Sequence, residues 1–153
     1  MARAGLATER KPLTRSEIMA RVGRRDTGPE LLLRRALHAV GLRFRVDRKI
    51  EGIRADVVFP TERIALFIDG CFWHSCPLHA TKPKSNAGYW LPKLEENRTR
   101  DVRQTERLIA QGWTVIRLWE HECRPPSPLL IKRLRSEILT RRNRSTRPRM
   151  PGE

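Results

Sequence analysis

At 153 residues and 39% apolar composition, the chain has room for one domain with its own core. Its 32 Lys and Arg against 17 Asp and Glu leave a net charge of +15; much of it is arginine, whose planar fork suits phosphates, so nucleic acid is favoured over a membrane surface as the polyanionic partner. No apolar run approaches the roughly 20 residues of a bilayer span, no signal-peptide core is expected, and 3 cysteines cannot all pair, so the sequence reads as a soluble, intracellular protein without a disulfide framework.

Residues 1–13 and 141–153 are basic and aperiodic and are expected to be disordered tails around a folded domain at 14–140. Thr14-x-x-Glu17 predicts a short helix to about Val22, and Thr27-x-x-Glu30 reads as a capping box for a longer one that Gly41 stops. In that helix Leu31, Leu32, Arg35, Ala36 and Ala39 fall near helical spacing. Arg43 to Ile50 predicts a strand, Glu51-Gly52 a turn, and Ala55 to Phe59 and Ile64 to Ile68 two further strands. Tyr89 to Ala110 predicts a long helix, Trp113 to Trp119 a strand ending in Glu120-His121, and a last helix follows. That order implies an α/β sandwich with a central mixed sheet flanked by helices.

The densest chemistry lies in Asp69-Gly-Cys-Phe-Trp-His-Ser-Cys-Pro-Leu-His79. Cys71, Cys76 and His79 are three zinc-type ligands at Cys-x4-Cys-x2-His spacing, and a closed tetrahedron needs a fourth. Both His121 and Cys123 follow the strand that ends at Trp119, so pairing of that strand with Ile64–Ile68 brings either one to the cluster. Four protein ligands leave no open position, which makes such a zinc structural.

Asp56 interrupts an apolar strand, and a carboxylate there needs a cation or a solvent edge. Magnesium, held by one or two carboxylates plus water, is the cation that suits phosphodiester chemistry. His74 has the right type for a general base and equally for a further metal ligand. Glu30, on sequence physics alone, is a capping residue. Trp90, Leu94, Asn97 and Asp101 share one helix face, so Asn97 and Asp101 point at the sheet and need partners there. Phe72, Trp73 and Trp90 are either core or, set among basic residues, wedges between base pairs.

Met19-Ala-Arg-Val, Arg25-Asp-Thr-Gly-Pro-Glu30, Arg43-Phe-Arg, Ala55-Asp-Val-Val-Phe, Phe67-Ile-Asp-Gly-Cys-Phe-Trp-His74, Tyr89-Trp, Lys93, Asn97-x3-Asp101, Gly112-Trp and Trp119-Glu-His121 together resemble the very-short-patch-repair (Vsr) endonucleases, in the family's order from about Ser16 to His121. The resemblance implies a restriction-endonuclease-like fold with a structural zinc site, the domain at 14–140 being the endonuclease. It implies a magnesium-dependent nick of one strand 5′ to the thymine of a thymine–guanine mismatch, the lesion left by deamination of 5-methylcytosine. By position, Asp56 and the Ile68 carbonyl hold magnesium, and His74 is the base, helped by Glu30, Asp69 and Asp101. Cys71, Cys76, His79 and His121 hold zinc, while Phe72, Trp73 and Trp90 intercalate beside the mismatch. The expected setting is a monomer on double-stranded DNA in the bacterial cytoplasm, associated with the nucleoid and with repair proteins as candidate partners. The competing readings are a zinc-stabilised DNA-binding module without catalysis and a restriction-type nuclease acting on intact duplex.

Overall fold

Pro29 within the first helical turn and Gly41 just past the last one delimit the first helix, α1 (Gly28–Ala39). Gly41, at φ +83, lets Leu42 N–H reach back to the Leu37 carbonyl at 3.1 Å and close the end in a Schellman motif. The chain then forms β1 (Arg45–Ile50), β2 (Ile53–Phe59) and β3 (Ile64–Asp69) as antiparallel neighbours, with Glu51 and Gly52 both at positive φ as a two-residue type I′ turn requires. Helix α2 (Ala87–Ala110) crosses over the sheet and delivers β4 (Thr114–Trp119) parallel to β3, a pairing that needs such a long connection. A 3-10 turn (Glu120–Glu122) and α3 (Pro128–Ser145) complete the order. This computed structural model describes residues 26–79 and 82–146.

The four strands run β1-β2-β3-β4 across one mixed sheet. Its two faces are covered by different helices. On one, Val57, Phe59, Ile64, Leu66 and Leu118 pack with Leu33 and Leu37 of α1 and with Leu130, Ile131, Leu134 and Ile138 of α3. On the other, Val58, Ala65 and Phe67 meet Leu108 of α2, with Trp113 and Val115 at the margin. The result is the α/β sandwich the element order predicts. Phe59 is fully buried, and its truncation to alanine would cost about 3–5 kcal/mol.

The structure changes several expectations. The buried stripe of α1 is Pro29, Glu30, Leu33 and Leu37, while Leu31 and Leu32 face outward; three consecutive leucines fit more than one helical phase, and the sheet chooses among them. Thr27 and Glu30 do not form a capping box. The Thr27 hydroxyl instead donates to Glu30 Oε1 at 3.0 Å, because the carboxylate is drawn inward. Residues 141–145, placed in the C-terminal tail, continue α3, where Arg142 Nε donates to buried Glu62 at 2.6 Å and ties the helix to the β2–β3 turn. The helix expected from Thr14 to Val22, the segment 1–13 and residues 147–153 lie outside the described residues.

Candidate active site and metal centre

The parallel pairing of β3 with β4 sets Asp69 beside Trp119 at the ends of both strands. The two chains therefore leave the sheet together, and Glu120 Oε1 accepts from the Cys71 N–H at 3.0 Å. His121 is carried to the loop of Cys71, Cys76 and His79. Cys71 Sγ lies 3.3 Å and Cys76 Sγ 3.7 Å from His121 Nδ1; Cys76 Sγ is 3.8 Å from His79 Nδ1, and the two Nδ1 atoms are 3.2 Å apart. All four ligand atoms lie within 4.8 Å of one another, so this group is able to hold a metal ion. No cysteine is in a disulfide. Cys123, the rival fourth ligand, is instead packed in the α1–α3 face of the core, where burial pushes its thiol up to about 12.

Beside this cluster the acids and His74 converge. Asp56 accepts the Ile68 N–H at 2.7 Å, which seats its carboxylate against β3 next to one of its expected co-ligands. Burial pushes Asp56 up to about 6, with the charges of Glu30 and Asp69 acting the same way and the Ile68 hydrogen bond and Arg34 opposing them. The alternation of β2 slips at this point, since Ile53 and Ala55 pack with Val58 on the α2 side whereas Val57 and Phe59 face the other helices. The carboxylate is thus left half-buried between the two cores.

Glu30 enters from α1, 5% exposed, and accepts the Asp26 N–H at 3.0 Å and Arg34 at 3.1 Å. It is more than a helix cap. His74 Nδ1–H donates to Asp101 Oδ2 of α2, and Asp69 Oδ1 stands 3.8 Å from the same nitrogen. His74 is therefore absent from the Cys/His group and belongs with Asp69 and Asp101, a second set able to hold a cation. Among the described residues His74 Nε2 makes no hydrogen bond.

Phe72, Trp73 and Trp90 come together with ring centroids 5.3–5.8 Å apart in edge-on contacts, and exposed Tyr89 extends the cluster against Trp90. All three remain partly exposed. Asn97, buried on the predicted face of α2, donates to the Trp73 carbonyl at 3.3 Å.

Two functional neighbours escaped sequence reasoning. Arg34 pairs with Glu30 and Asp26, and its buried Nε has no hydrogen-bond partner among the described residues; the i,i+4 spacing from Glu30 was the available signal. Arg117 binds Asp69 through two nitrogens and reaches Asp101. Its signal was the one that exposed Asp56, a charge inside an apolar strand.

A model of the family DNA mismatch endonuclease Vsr matches residues 9–79. The type II nicking enzyme V.NaeI of Lentzea aerocolonigenes is 45% identical over 113 residues, covering 71% of this chain and 68% of that protein. V.XorIIP of Xanthomonas oryzae pv. oryzae, also a type II nicking enzyme, is 43% identical over 72% of this chain and 82% of its own. DNA mismatch endonuclease Vsr of Escherichia coli is 39% identical over 70% of this chain and 69% of its own. Among solved structures, the catalytic domain of the homing endonuclease I-Bth0305I superimposes with a TM-score of 0.52 over 75% of this chain and 97% of that domain at 14% identity, a likeness of fold.

Proposed function

The chain belongs to the DNA mismatch endonuclease Vsr family and is a DNA endonuclease; on that premise we propose that it nicks one strand 5′ to the thymine of a thymine–guanine mismatch, in a magnesium-dependent hydrolysis beside a structural zinc. The observation that carries this reading is the His74–Asp101 pair with Asp69 3.8 Å from the same imidazole nitrogen, Asp69 in turn acting on the charge of Asp56, whose proton affinity burial has raised. A DNA-binding module gains nothing from acids gathered at one place, since they repel phosphate unless a cation intervenes.

Asp56 and the Ile68 carbonyl are the groups that would hold magnesium, and a raised carboxylate pKa in metal-free protein suits a site completed by a cation. The ion, when bound, supplies charge stabilisation on the phosphoryl oxygens. His74 accepts the proton of the attacking water at Nε2, while Asp101 holds Nδ1–H and stabilises the charge that forms on the ring. Glu30 keeps Arg34 and the start of α1 fixed beside Asp56. Asp69 lies beside the same imidazole with both oxygens held by Arg117.

Zinc suits the Cys71, Cys76, His79 and His121 site on donor chemistry and on size. With Zn–S about 2.3 Å and Zn–N about 2.0–2.1 Å, a tetrahedron has edges of about 3.3–3.8 Å. Four of the six spacings here run from 3.2 to 3.8 Å and the other two lie within 4.8 Å. Phe72, Trp73 and Trp90 then stand as a wedge. Unstacking costs a few kcal/mol per step and least at a mismatch, so ring insertion favours the damaged site over matched duplex. Lysine and arginine contacts to phosphate add affinity without discrimination.

The test is incubation of end-labelled duplexes, with and without one thymine–guanine pair, in magnesium or in a magnesium-free buffer. One nick on the thymine strand of the mismatched duplex, only with magnesium, is expected. Equal cutting of matched DNA would favour a restriction-type nuclease, and undiminished cutting without magnesium would remove the metal assignment.

A further inference from the structure

Arg117 stands opposite Phe67 in the parallel register, and its guanidinium lies over that ring, 4.8 Å from the centroid. Nε donates to Asp69 Oδ2 at 2.7 Å and one terminal nitrogen donates to Asp69 Oδ1 at 2.8 Å. The same terminal nitrogen lies 3.4 Å from Asp101 Oδ1, and the other donates to Thr105 Oγ1 at 3.2 Å. One planar cation therefore joins β3, β4 and α2 under the catalytic groups, a set of directions that a lysine ammonium cannot serve at once. Burial works against its charge, but the hydrogen bond and charge of Asp69, then the charges of Asp101 and Asp56, more than offset this and raise its pKa.

His74 Nδ1 has two carboxylates in its neighbourhood, Asp101 in hydrogen-bond contact and Asp69 at 3.8 Å. One N–H cannot serve both well. Arg117 occupies both oxygens of Asp69, whereas it touches only Oδ1 of Asp101 and leaves Oδ2 to the imidazole. The guanidinium thereby decides between two chemically identical acids.

Resting on the reading of His74 as the general base, we propose that Arg117 is a positioning residue: it withholds Asp69 from His74 and from the metal, and fixes Asp101 as the partner of Nδ1, so that Nε2 is the nitrogen offered to the substrate. Without Arg117, Asp69 becomes a free carboxylate between the imidazole and Asp56. It then competes for the ring proton and for the cation.

The experiment compares full-length wild type, Arg117→Met, Arg117→Lys and the double variant Arg117→Met with Asp69→Asn. Three quantities are read: the single-turnover nicking rate on mismatched duplex, affinity for that duplex, and the 15N signals of the His74 ring in magnesium-free protein. Arg117→Met should lower the nicking rate by about 10²-fold, the size of a lost general-base alignment, with affinity changed by less than about threefold. Its His74 signals should move from one Nδ1–H tautomer to an exchanging mixture. Arg117→Lys, which keeps the charge but not the fork, should fall between the two in both rate and tautomer. The double variant removes the released carboxylate and should recover about tenfold of the rate lost in Arg117→Met, a coupling that two independent structural losses would not produce.

A wild-type rate and tautomer in Arg117→Met, or in Arg117→Lys should the methionine variant not fold, would overturn the proposal. So would a folded double variant no faster than Arg117→Met. A wild-type chain that does not cut mismatched DNA would instead overturn the general-base reading, and the ring signals would still judge whether Arg117 selects the partner of Nδ1.

Discussion

The Cys71–Cys76–His79–His121 cluster and the Asp69–His74–Asp101 cluster meet at one short loop but are assembled on different plans, with Asp56 held against β3 beside the second. Three of the four sulfur and nitrogen ligands come from one local stretch, and only His121 arrives from another strand. The acids come from β2, β3 and α2, with Glu30 added from α1 and Arg117 from β4. In the first cluster the sulfur and nitrogen atoms face one another, as ligands of an ion do. In the second they are already tied by hydrogen bonds and ion pairs, Arg117 to Asp69 and Asp101 to His74. The first therefore bears mainly on whether the loop keeps its shape, the second on what the loop does.

The largest effect expected from this contrast comes from the Cys/His cluster. Cys76→Ala should leave the protein without zinc by elemental analysis and abolish both nicking and mismatch binding, because the binding energy of a structural zinc goes into ordering the loop it closes. Hydrogen exchange should then rise across residues 71–79 while the buried residues of β3 and α3 stay protected. A zinc-free variant that still nicks would erase the distinction between the clusters.

Asp56→Ala should retain zinc and mismatch binding but lose at least about 10³-fold in single-turnover rate, since several kcal/mol of transition-state stabilisation go with the metal's carboxylate. His74→Ala should lose about 10²–10⁴-fold, the range for a general base, again with one zinc per chain. Zinc release by His74→Ala would move that residue from one cluster to the other.

Smaller effects sharpen the role of the rings between the clusters. Trp73→Ala should lower cleavage of mismatched DNA by about 10-fold, within the roughly 1–3 kcal/mol of one base–aromatic stack, and leave binding to matched duplex unchanged. Equal loss on both substrates would make Trp73 a packing residue. The smallest is a pH effect. The pKa of Asp56 in the folded chain is raised to about 6 from an ordinary 3.8, so its contribution to stability is present below the lower value and is lost as pH rises through the higher one. In magnesium-free buffer the melting temperature should therefore carry a downward component between about pH 4 and pH 6 that Asp56→Asn removes and added magnesium offsets. An unchanged slope in Asp56→Asn would show that burial does not disfavour this carboxylate's charge.

The order of elements, the turn at Glu51-Gly52, the face of α2 that carries Leu94, Asn97 and Asp101, and the local part of the Cys/His cluster were legible in the sequence, because each follows from spacing along a short stretch of backbone. A lone charge in an apolar strand likewise marked Asp56 and, unread, Arg117. Which leucines of α1 turn inward, which of His121 and Cys123 completes the cluster, whether Glu30 caps its helix or faces Asp56, and which carboxylate holds His74 were decided only by the tertiary structure. The first and third follow from how α1 packs on the sheet, the second and fourth from the register that sets Asp69 beside Trp119 and Phe67 beside Arg117. A parallel pair separated by a whole helix is fixed by how that helix packs on the sheet, and neither strand encodes its partner's alignment in its own sequence.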